Sequence, residues 1–301
     1  MSIIYVEKRD EVNLFVWSDL DIELAIEEFF SFFAENYKFM PRFRAKLWDG
    51  KIRMYSAAKK TLPVGLYDYL VKFAQDNGHE IVVTDKSKPI HYDEVLSLEQ
   101  TKEFCKGLNV QRNGVPIEHH DYQIEAVHRA INRKRVLLLS ATGSGKSLII
   151  YSILRYFLDH GSESTNGLGL QTLILVPTTG LVEQMLGDFI DYSSANGWNV
   201  EEFVQQIYSG FTKEIHSPVV VSTWQSVYKL DRKWFNNFDV VIGDEAHLFA
   251  AASLSMCMNK LDTVAVRVGT TGTIKEAKSN KLTLEGHFGP VHKVSSTREL
   301  M

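Results

Sequence analysis

The pattern of apolar and polar positions changes character about a third of the way along the chain. Up to about residue 112 the periodic segments are short and mixed, with strands predicted at 3–6 and 12–17, helices at 19–37, 65–77 and 93–106, and a pair of strands at 39–56 around the turn Trp48-Asp49-Gly50. The apolar face of the first predicted helix consists of Leu20, Leu24, Phe29, Phe32 and Phe33. This mixture predicts a small α+β domain over residues 1–112.

From about residue 119 the pattern becomes regular, and runs of consecutive apolar residues alternate with helical periodicity. These runs predict strands at 135–140, 172–177, 218–222, 238–243 and 263–269. Continuous apolar strands separated by helices indicate a parallel sheet that is covered on both faces. Residues 113–301 are therefore predicted to form a doubly wound α/β domain whose ligand lies at the carboxyl ends of the strands. The Gly- and Ser-rich stretch 161–169 is predicted to be a loop.

A glycine-rich loop follows the first of these strands. The sequence ATGSGKS at 141–147 lies between a predicted strand and a predicted helix, which is the context of a phosphate-binding loop. Its glycines let backbone N–H groups face an anion, Lys146 supplies a charge for the β- and γ-phosphates, and Ser147 offers a hydroxyl to Mg²⁺. Ser140 replaces the glycine of the most general pattern, but A-x-x-G-x-G-K-S is matched in full. The predicted nucleotide contacts in the loop are Thr142, Gly143, Ser144, Gly145, Lys146 and Ser147.

Two carboxylates end the strand predicted at 238–243. Asp244 is predicted to hold Mg²⁺ together with Ser147, and Glu245 to polarise the attacking water as a general base. Taken alone, the tetrapeptide DEAH could be a solvated turn, but a strand precedes it and the chain already contains a phosphate loop. The predicted catalytic residues are therefore Lys146, Asp244 and Glu245.

Further short motifs occur in an order that, together with these two, resembles the superfamily 2 helicases and translocases. The resemblance implies that Tyr122 and Gln123, upstream of the phosphate loop, read adenine. It implies contacts with a nucleic-acid strand for three residues: Thr178, Thr223 and Gln225. It also implies that three others couple the nucleotide state to those contacts: His247, Thr271 and Thr273. Each motif is weak alone, and their order and spacing make them specific together.

Within that superfamily the chain is most similar to the UvsW family of recombination and repair DNA helicases of tailed bacteriophages. The similarity rests on FMPRFRAKLWDGKIRM at 39–54, LPVGL at 62–66 and VPTTGLVEQM at 176–185. It implies a RecA-like motor lobe, ATP and Mg²⁺ as cofactors, and branched or duplex DNA or an RNA–DNA hybrid in an R-loop as the substrate. It also implies a role in recombination, repair and replication.

Members of this family also carry a second motor lobe with an arginine finger. About 28 residues follow Thr273, which is too few for a second α/β domain. We therefore expect the chain to hold an accessory domain and the first motor lobe, and to turn over little ATP without the second lobe.

Charge is unevenly distributed, although the total is close to balanced. The chain has 33 Lys and Arg against 37 Asp and Glu, which argues against a generic basic nucleic-acid coat protein. Residues 38–60 nevertheless carry eight basic residues and one acid, whereas 19–35 carry six acids and no base. Strict strand alternation would turn Arg42 and Arg44 outward and Phe43 inward. DNA contacts are predicted for Arg42, Arg44, Lys46, Lys51 and Arg53, the alternative being a solvated hairpin.

Other sequence features bear on location. Two cysteines, Cys105 and Cys257, cannot form a disulfide framework, the first residues are too charged for a signal peptide, and no apolar run approaches the roughly 18 residues of a membrane span. We expect a monomer without membrane contact in a reducing cytoplasm, that of the host bacterium if a phage encodes the protein.

Two alternatives to a DNA helicase remain. One is an RNA helicase of the DEAH type, because strand contacts in a first motor lobe go to phosphates and do not test the sugar. The other is a non-enzymatic, ATP-gated nucleic-acid binding module. Lys146 and Glu245 together disfavour the second, since a pure binder needs no general base.

Overall fold

The structure, a computed structural model, describes residues 2–160, 170–250, 252–274 and 278–295. The chain divides into two compact units. The N-terminal unit takes the described residues up to His91 and those between Ile274 and Pro290, and the α/β unit takes Tyr92 to Thr273 and the strand that begins at Val291. This grouping differs from the predicted division between residues 112 and 113. The loop predicted at 161–169 lies outside the described residues.

The strands, in chain order, are β1 (Ile3–Lys8), β2 (Asn13–Trp17), β3 (Ser31–Phe33), β4 (Lys51–Arg53), β5 (Thr61–Pro63), β6 (Glu80–Val83), β7 (Gln111–Arg112), β8 (Val115–Pro116), β9 (Arg135–Ser140), β10 (Thr172–Val176), β11 (Val204–Ile207), β12 (Val219–Thr223), β13 (Val240–Gly243), β14 (Val266–Thr271) and β15 (Val291–Ser295). The α-helices are α1 (Leu20–Phe29), α2 (Pro41–Arg44), α3 (Tyr67–Asp76), α4 (Leu98–Gly107), α5 (Asp121–Arg133), α6 (Lys146–Asp159), α7 (Thr179–Ser193), α8 (Val200–Phe203), α9 (Trp224–Val227), α10 (Arg232–Phe235), α11 (Ala252–Lys260) and α12 (Lys278–Phe288).

A four-stranded sheet in the order β5-β2-β1-β6 forms the base of the N-terminal unit. Strand β1 runs antiparallel to β2 and parallel to β6. Alternate residues of β1 and β2, such as Ile4 and Leu14, are fully buried, so one face of the sheet carries the core. Helices α1, α3 and α12 contribute Ile26, Leu70 and Leu282 to the same core. The unit is thus α+β, as predicted.

The helix predicted over 19–37 is wrong in its length and in its buried face. Helix α1 ends at its tenth residue, and strand β3 follows and pairs with β4. Ile22 and Ile26 are buried, whereas Leu20 and Leu24 are exposed. Both pairs recur at a spacing of four, so helical periodicity alone is compatible with either face.

The strand pair predicted over 39–56 is wrong in its first half. A short helix, α2, forms there, favoured by the proline at its first position. Phe43 packs edge-on against Tyr37, with ring centroids 4.8 Å apart, while Arg42 and Arg44 are exposed. The two arginines therefore point outward as expected, but a helical turn produces this and strand alternation does not, while Phe43 is only partly buried and lies outside the core of the unit.

Seven parallel strands form the sheet of the α/β unit, in the order β11-β12-β10-β13-β14-β9-β15. Every residue of β10, β12 and β13 is buried, which means that both faces of the sheet are covered. The predicted doubly wound fold is confirmed, and the five predicted strands coincide with β9, β10, β12, β13 and β14 to within three residues at either end. Because β13, β14 and β9 are neighbours, the loops after them meet at one edge of the sheet.

In the ranges that the structure describes, no helix combines the length and the apolar character needed to cross a membrane.

Candidate functional site

The glycine-rich loop after β9 has a backbone that only glycine adopts without strain. Gly143 and Gly145 have φ angles of 83° and 78°, in the left-handed region that disfavours other residues. A Cβ at Gly145 would lie 2.3 Å from Nε2 of Gln123, so this position also lacks room for a side chain. Helix α6 begins directly afterwards at Lys146. The loop therefore places backbone N–H groups and the positive end of a helix around one point.

Ser140, the departure from the general loop pattern, has a structural role. Its hydroxyl lies 2.5 Å from the hydroxyl of Ser144, and both side chains are fully buried. The backbone N–H of Ser144 also donates to the carbonyl of Ala141 at 3.2 Å. The pair of hydroxyls thus joins the two ends of the loop, which a glycine at 140 could not do.

The loop lysine reaches the acidic motif after β13. Lys146 Nζ lies 3.1 Å from Oε1 of Glu245, and both side chains are largely buried. Ser147 occupies the first turn of α6 beside the lysine. A cation, a hydroxyl and a carboxylate thus come together, as the sequence predicts for a site that binds phosphates.

Asp244 is the most deeply buried carboxylate of the site, only 8% exposed. Its carboxylate accepts hydrogen bonds from Thr270 Oγ1 at 2.7 Å and from the backbone N–H of Glu245 at 2.9 Å. Burial raises the pKa of Asp244, while these two hydrogen bonds act in the opposite direction. Both hydrogen bonds end on the same oxygen atom, Oδ1, so neither occupies Oδ2, and Asp244 lines the cavity described below.

Glu245 is held in an unusual backbone conformation. Its φ angle is 50°, in a region that costs most residues energy and that often marks functional sites. Oε2 of Glu245 lies 3.3 Å from Nδ1 of His247, on the side away from Lys146. The carboxylate is therefore fixed between a lysine and a histidine.

His247 also connects the acidic motif to the end of β14. Its Nδ1 lies 3.1 Å from Oγ1 of Thr271, and that hydroxyl donates to the carbonyl of Thr273 at 2.9 Å. A Cβ at Gly272 would lie 3.6 Å from Lys146 Nζ, so this segment also runs close to the phosphate loop.

Gln123 lies against the phosphate loop in a way that the sequence does not predict. Its Nε2 donates to the carbonyl of Ser144 at 2.9 Å, and its Oε1 accepts from the backbone N–H of His120 at 2.9 Å. The side chain is buried, so both ends of its amide are used within the protein. Tyr122 is partly buried, and its ring stacks on that of His120 at 5.3 Å.

A cavity of about 400 Å³ opens beside these groups. One wall consists of the phosphate loop and the two acids, and the other of helix α7 and strand β7. The α7 and β7 side chains that line it are Leu181, Gln184, Met185, Asp188, Tyr192 and Arg112. Sequence patterns give no sign of Arg112, because its position depends on Asp191 of α7 accepting the backbone N–H of Asn113 at 2.8 Å.

The residues expected to contact a strand lie at the ends of β10 and β12, which are neighbours in the sheet. Thr178 is exposed and accepts the backbone N–H of Leu181, so it caps α7. Gln225 is exposed and donates to the carbonyl of Pro177 at 3.0 Å. Thr223 is buried and hydrogen-bonded to Ser226, which leaves it little surface for a ligand.

The six basic residues between positions 38 and 53 fall into two groups. Lys51 pairs with Glu28 at 2.7 Å, and Arg53 pairs with Asp49. Hydrogen bonding to Arg53 lowers the pKa of the Asp49 carboxyl to about 2. The other group forms no ion pair with any residue that the structure describes. We call this group the basic surface; its members, all exposed, are Lys38, Arg42, Arg44 and Lys46.

Comparisons with known proteins match both units. Residues 116–276 match the family described as type III restriction enzyme, res subunit, and residues 4–84 match the N-terminal domain of the DNA helicase UvsW. The chain is 35% identical over 281 residues to the ATP-dependent DNA helicase UvsW of enterobacteria phage T4, covering 92% of this chain and 53% of that protein. It thus spans about half the length of this curated relative.

One more distant relative and two solved structures are also similar to the chain. A DNA 3'-5' translocase, XPB2 of Sulfurisphaera tokodaii, is 27% identical over 160 residues, 52% of this chain and 31% of that protein. A crystal structure of the UvsW helicase from bacteriophage T4 superposes with a TM-score of 0.84 at 32% identity, covering 96% of this chain and 99% of that chain. A second T4 UvsW structure gives the same TM-score at 31% identity and covers 97% of this chain and 57% of that chain.

Proposed function

Because the chain belongs to the superfamily 2 helicases, through the family described as type III restriction enzyme res subunit, we propose that it forms part of an ATP-driven DNA helicase. Its similarity to T4 UvsW over most of its length supports branched DNA and R-loops as substrates in recombination, repair and replication. We further propose that it acts as a monomer in the bacterial cytoplasm. The observation that carries the proposal is the contact of Lys146 with Glu245 beside the buried Asp244.

The residues of the cavity suit a nucleoside triphosphate and Mg²⁺. Lys146 and the backbone N–H groups of the loop would bind the phosphates, and oxygen ligands from Ser147 and Asp244 are of the kind that Mg²⁺ prefers. Once bound, Mg²⁺ would neutralise charge on the β- and γ-phosphates. The free Oδ2 of Asp244 fits this role, because both described hydrogen bonds to the carboxylate end on Oδ1.

Glu245 is the proposed general base. When Lys146 binds a phosphate, its positive charge is divided between the phosphate and the Glu245 carboxylate. The carboxylate then becomes able to accept a proton from water. His247 then supports the carboxylate from the other side and connects it to Thr271 and Thr273. We propose that this connection couples the nucleotide state to the strand contacts of Thr178 and Gln225.

The two alternatives, an RNA helicase and a non-enzymatic binding module, predict different effects of nucleic acid on ATP hydrolysis. ATP hydrolysis is measured at steady state, in a protein that joins this chain to a second motor lobe, with DNA or RNA added. We expect stimulation by branched DNA. Stimulation by RNA alone would favour the RNA helicase, and ATP binding without turnover under any condition would favour the non-enzymatic module.

A variant of Gln123 tests whether this side chain recognises the adenine base of the nucleotide. The resemblance implies adenine recognition, but the amide holds the phosphate loop and the start of α5. We expect Gln123→Ala to weaken ATP and GTP binding by a similar factor, roughly 3–10-fold for a lost hydrogen bond. Fluorescent analogues of both nucleotides measure this, and a loss confined to ATP would instead assign the residue to adenine.

The basic surface is proposed to hold a DNA backbone. Changing Arg42, Arg44 and Lys46 together to alanine removes up to three phosphate contacts, and each contact releases counterions. The slope of log K against log salt on duplex DNA should therefore shrink by roughly 0.9 per lost contact. Fluorescence anisotropy at several salt concentrations measures the slope.

The paired cations provide the matched control for this experiment. Lys51→Ala combined with Arg53→Ala removes two charges that acids already neutralise, so the slope should change much less. An unchanged slope in the triple variant would leave the basic surface as ordinary solvated protein surface. An equal change in both variants would mean that the ion pairs open when DNA binds.

A further inference from the structure

The segment that carries the basic surface also carries large apolar side chains that are exposed. Phe39 is 69% and Leu47 74% exposed, among the highest values for any large apolar residue that the structure describes. Both lie within the segment that also carries Lys38, Arg42, Arg44 and Lys46. A surface that only binds phosphates does not need the exposed side chains of Phe39 and Leu47.

Ring contacts and a hydrogen bond hold the segment that carries these exposed side chains in place. Tyr37 stacks on Phe33 with ring centroids 4.5 Å apart and contacts Phe43 edge-on at 4.8 Å. Gly50 passes so close beneath that a Cβ there would lie 2.3 Å from the Tyr37 ring. The Trp48 indole N–H donates to the carbonyl of Lys51 at 2.8 Å, which fixes the other side. The segment is therefore pre-shaped, which lowers the entropic cost of binding.

A shallow groove runs along this segment. Phe43, Trp48 and Leu47 provide apolar walls, and the charged side chains that line the same groove are Lys38, Arg44, Lys46 and Asp49, the acid that pairs with Arg53. The Arg44 guanidinium also lies 6.0 Å from the centroid of the Phe39 ring. Planar side chains beside a guanidinium are the typical surroundings of an unstacked nucleobase.

We propose that Phe39 and Leu47 contact an unpaired nucleobase beside a branch point, while the basic surface holds the phosphates that flank it. The partner is thus a short single-stranded stretch next to a duplex. This inference rests on the proposed function and adds which part of a branched DNA the N-terminal unit recognises. Charge complementarity favours DNA as the occupant, since four cations without a described ion pair lie in the same segment as the apolar side chains, and three of them line the groove.

Base stacking and phosphate binding depend differently on salt concentration, so measuring the DNA affinity at several salt concentrations distinguishes their contributions. Contacts with a base release no counterions, so they add affinity that is independent of salt. Loss of Phe39 and Leu47 should therefore lower the affinity at every salt concentration and leave the slope unchanged. Loss of Arg42, Arg44 and Lys46 should change the slope.

The experiment measures the affinity of the chain for a forked DNA and for a blunt duplex with the same number of phosphates. In Phe39→Ala with Leu47→Ala, affinity for the fork should fall roughly 10-fold, as expected for one lost stacking contact, with little change for the blunt duplex. A 2-aminopurine at the unpaired position should lose its quenching by the protein. Phe39→Trp should retain most of the wild-type affinity.

Leu20→Ala with Leu24→Ala is the matched control. These leucines are also exposed in the N-terminal unit but lie on the acidic helix α1, so both affinities should remain as in the wild type. Thermal unfolding should show that neither double variant is destabilised, since all four side chains face solvent.

Several results would overturn the inference. They are an unchanged affinity for the fork, an equal loss for the blunt duplex, or a wild-type protein that self-associates through Phe39 and Leu47 as shown by sedimentation. If the wild-type chain binds neither DNA, the proposed function fails as well. If it binds the fork and the double variant binds equally, only this inference fails.

Discussion

Replacement of Lys146 by alanine is expected to abolish ATP-driven unwinding while the α/β unit stays folded. The lysine provides the only side-chain cation of the phosphate loop, and its Nζ lies 3.1 Å from Glu245. Removing a charged group that stabilises a transferring phosphoryl typically costs at least about 10²–10³ in rate. Unwinding of a forked DNA is measured in a protein that joins this chain to a second motor lobe, and ATP binding is measured in the chain itself.

Lys106→Ala is the matched control for this variant. Lys106 is an exposed lysine of α4 in the same unit, far along the chain from the phosphate loop, and its loss should change neither unwinding nor ATP binding. Circular dichroism should show both variants folded, because a side chain at the mouth of a cavity contributes little to the core. Unwinding at the wild-type rate by Lys146→Ala would refute the assignment of the phosphate loop.

The sequence predicts the α/β unit well because its strands are strongly constrained. A strand buried on both faces needs consecutive apolar residues, and β10, β12 and β13 contain the runs LILV, VVV and VVI, with polar residues only at the ends of β10 and β12. The edge strands β11 and β15 are different. They contain polar residues, as in the sequence VHKVS of β15, so their pattern does not stand out from that of a loop.

The unit to which α12 belongs could not be predicted from a local sequence pattern. The helix follows the last motif of the α/β unit, yet it belongs to the N-terminal unit. Leu282 is buried in that unit's core, and Tyr69 donates from its hydroxyl to the carboxylate of Glu285 at 2.7 Å. Periodicity can predict that a segment is helical and which face is apolar, but the core that receives this face depends on contacts between residues more than 200 positions apart.

Within the candidate site, the residues that come together could be predicted, but their contacts with the rest of the unit could not. Residue types and spacing are sufficient to select Lys146, Asp244 and Glu245, because each motif follows a recognisable strand. The hydrogen bond from Gln123 to Ser144 and the position of Arg112 depend on how helices pack around the sheet, which no short motif encodes. The pairing of Arg53 with Asp49 likewise escapes a count of charges, since that count cannot tell which cations are already neutralised.

Replacement of Glu245 by glutamine is expected to separate nucleotide binding from hydrolysis. The amide keeps the shape of the side chain and can still accept a hydrogen bond from Lys146, but it cannot take a proton from water. Hydrolysis should fall by roughly 10²–10⁴-fold, the usual contribution of a general base, while ATP affinity stays within about twofold. Release of labelled phosphate in a protein that contains a second motor lobe measures the first quantity, and a fluorescent nucleotide measures the second.

The strained backbone of Glu245 makes the control for this variant important. Glu245→Ala removes the base and also both of the contacts that hold the side chain between Lys146 and His247. If Glu245 acts as the base, the glutamine and alanine variants should lose a similar fraction of their turnover, because each lacks the group that accepts the proton. If its role is to hold the site together, glutamine should preserve most of the activity, since its amide bonds to the same lysine, and only alanine should lose it. A glutamine variant that loses ATP binding in proportion to turnover would also contradict the proposed role, because it would place Glu245 in nucleotide binding and leave the base to another residue.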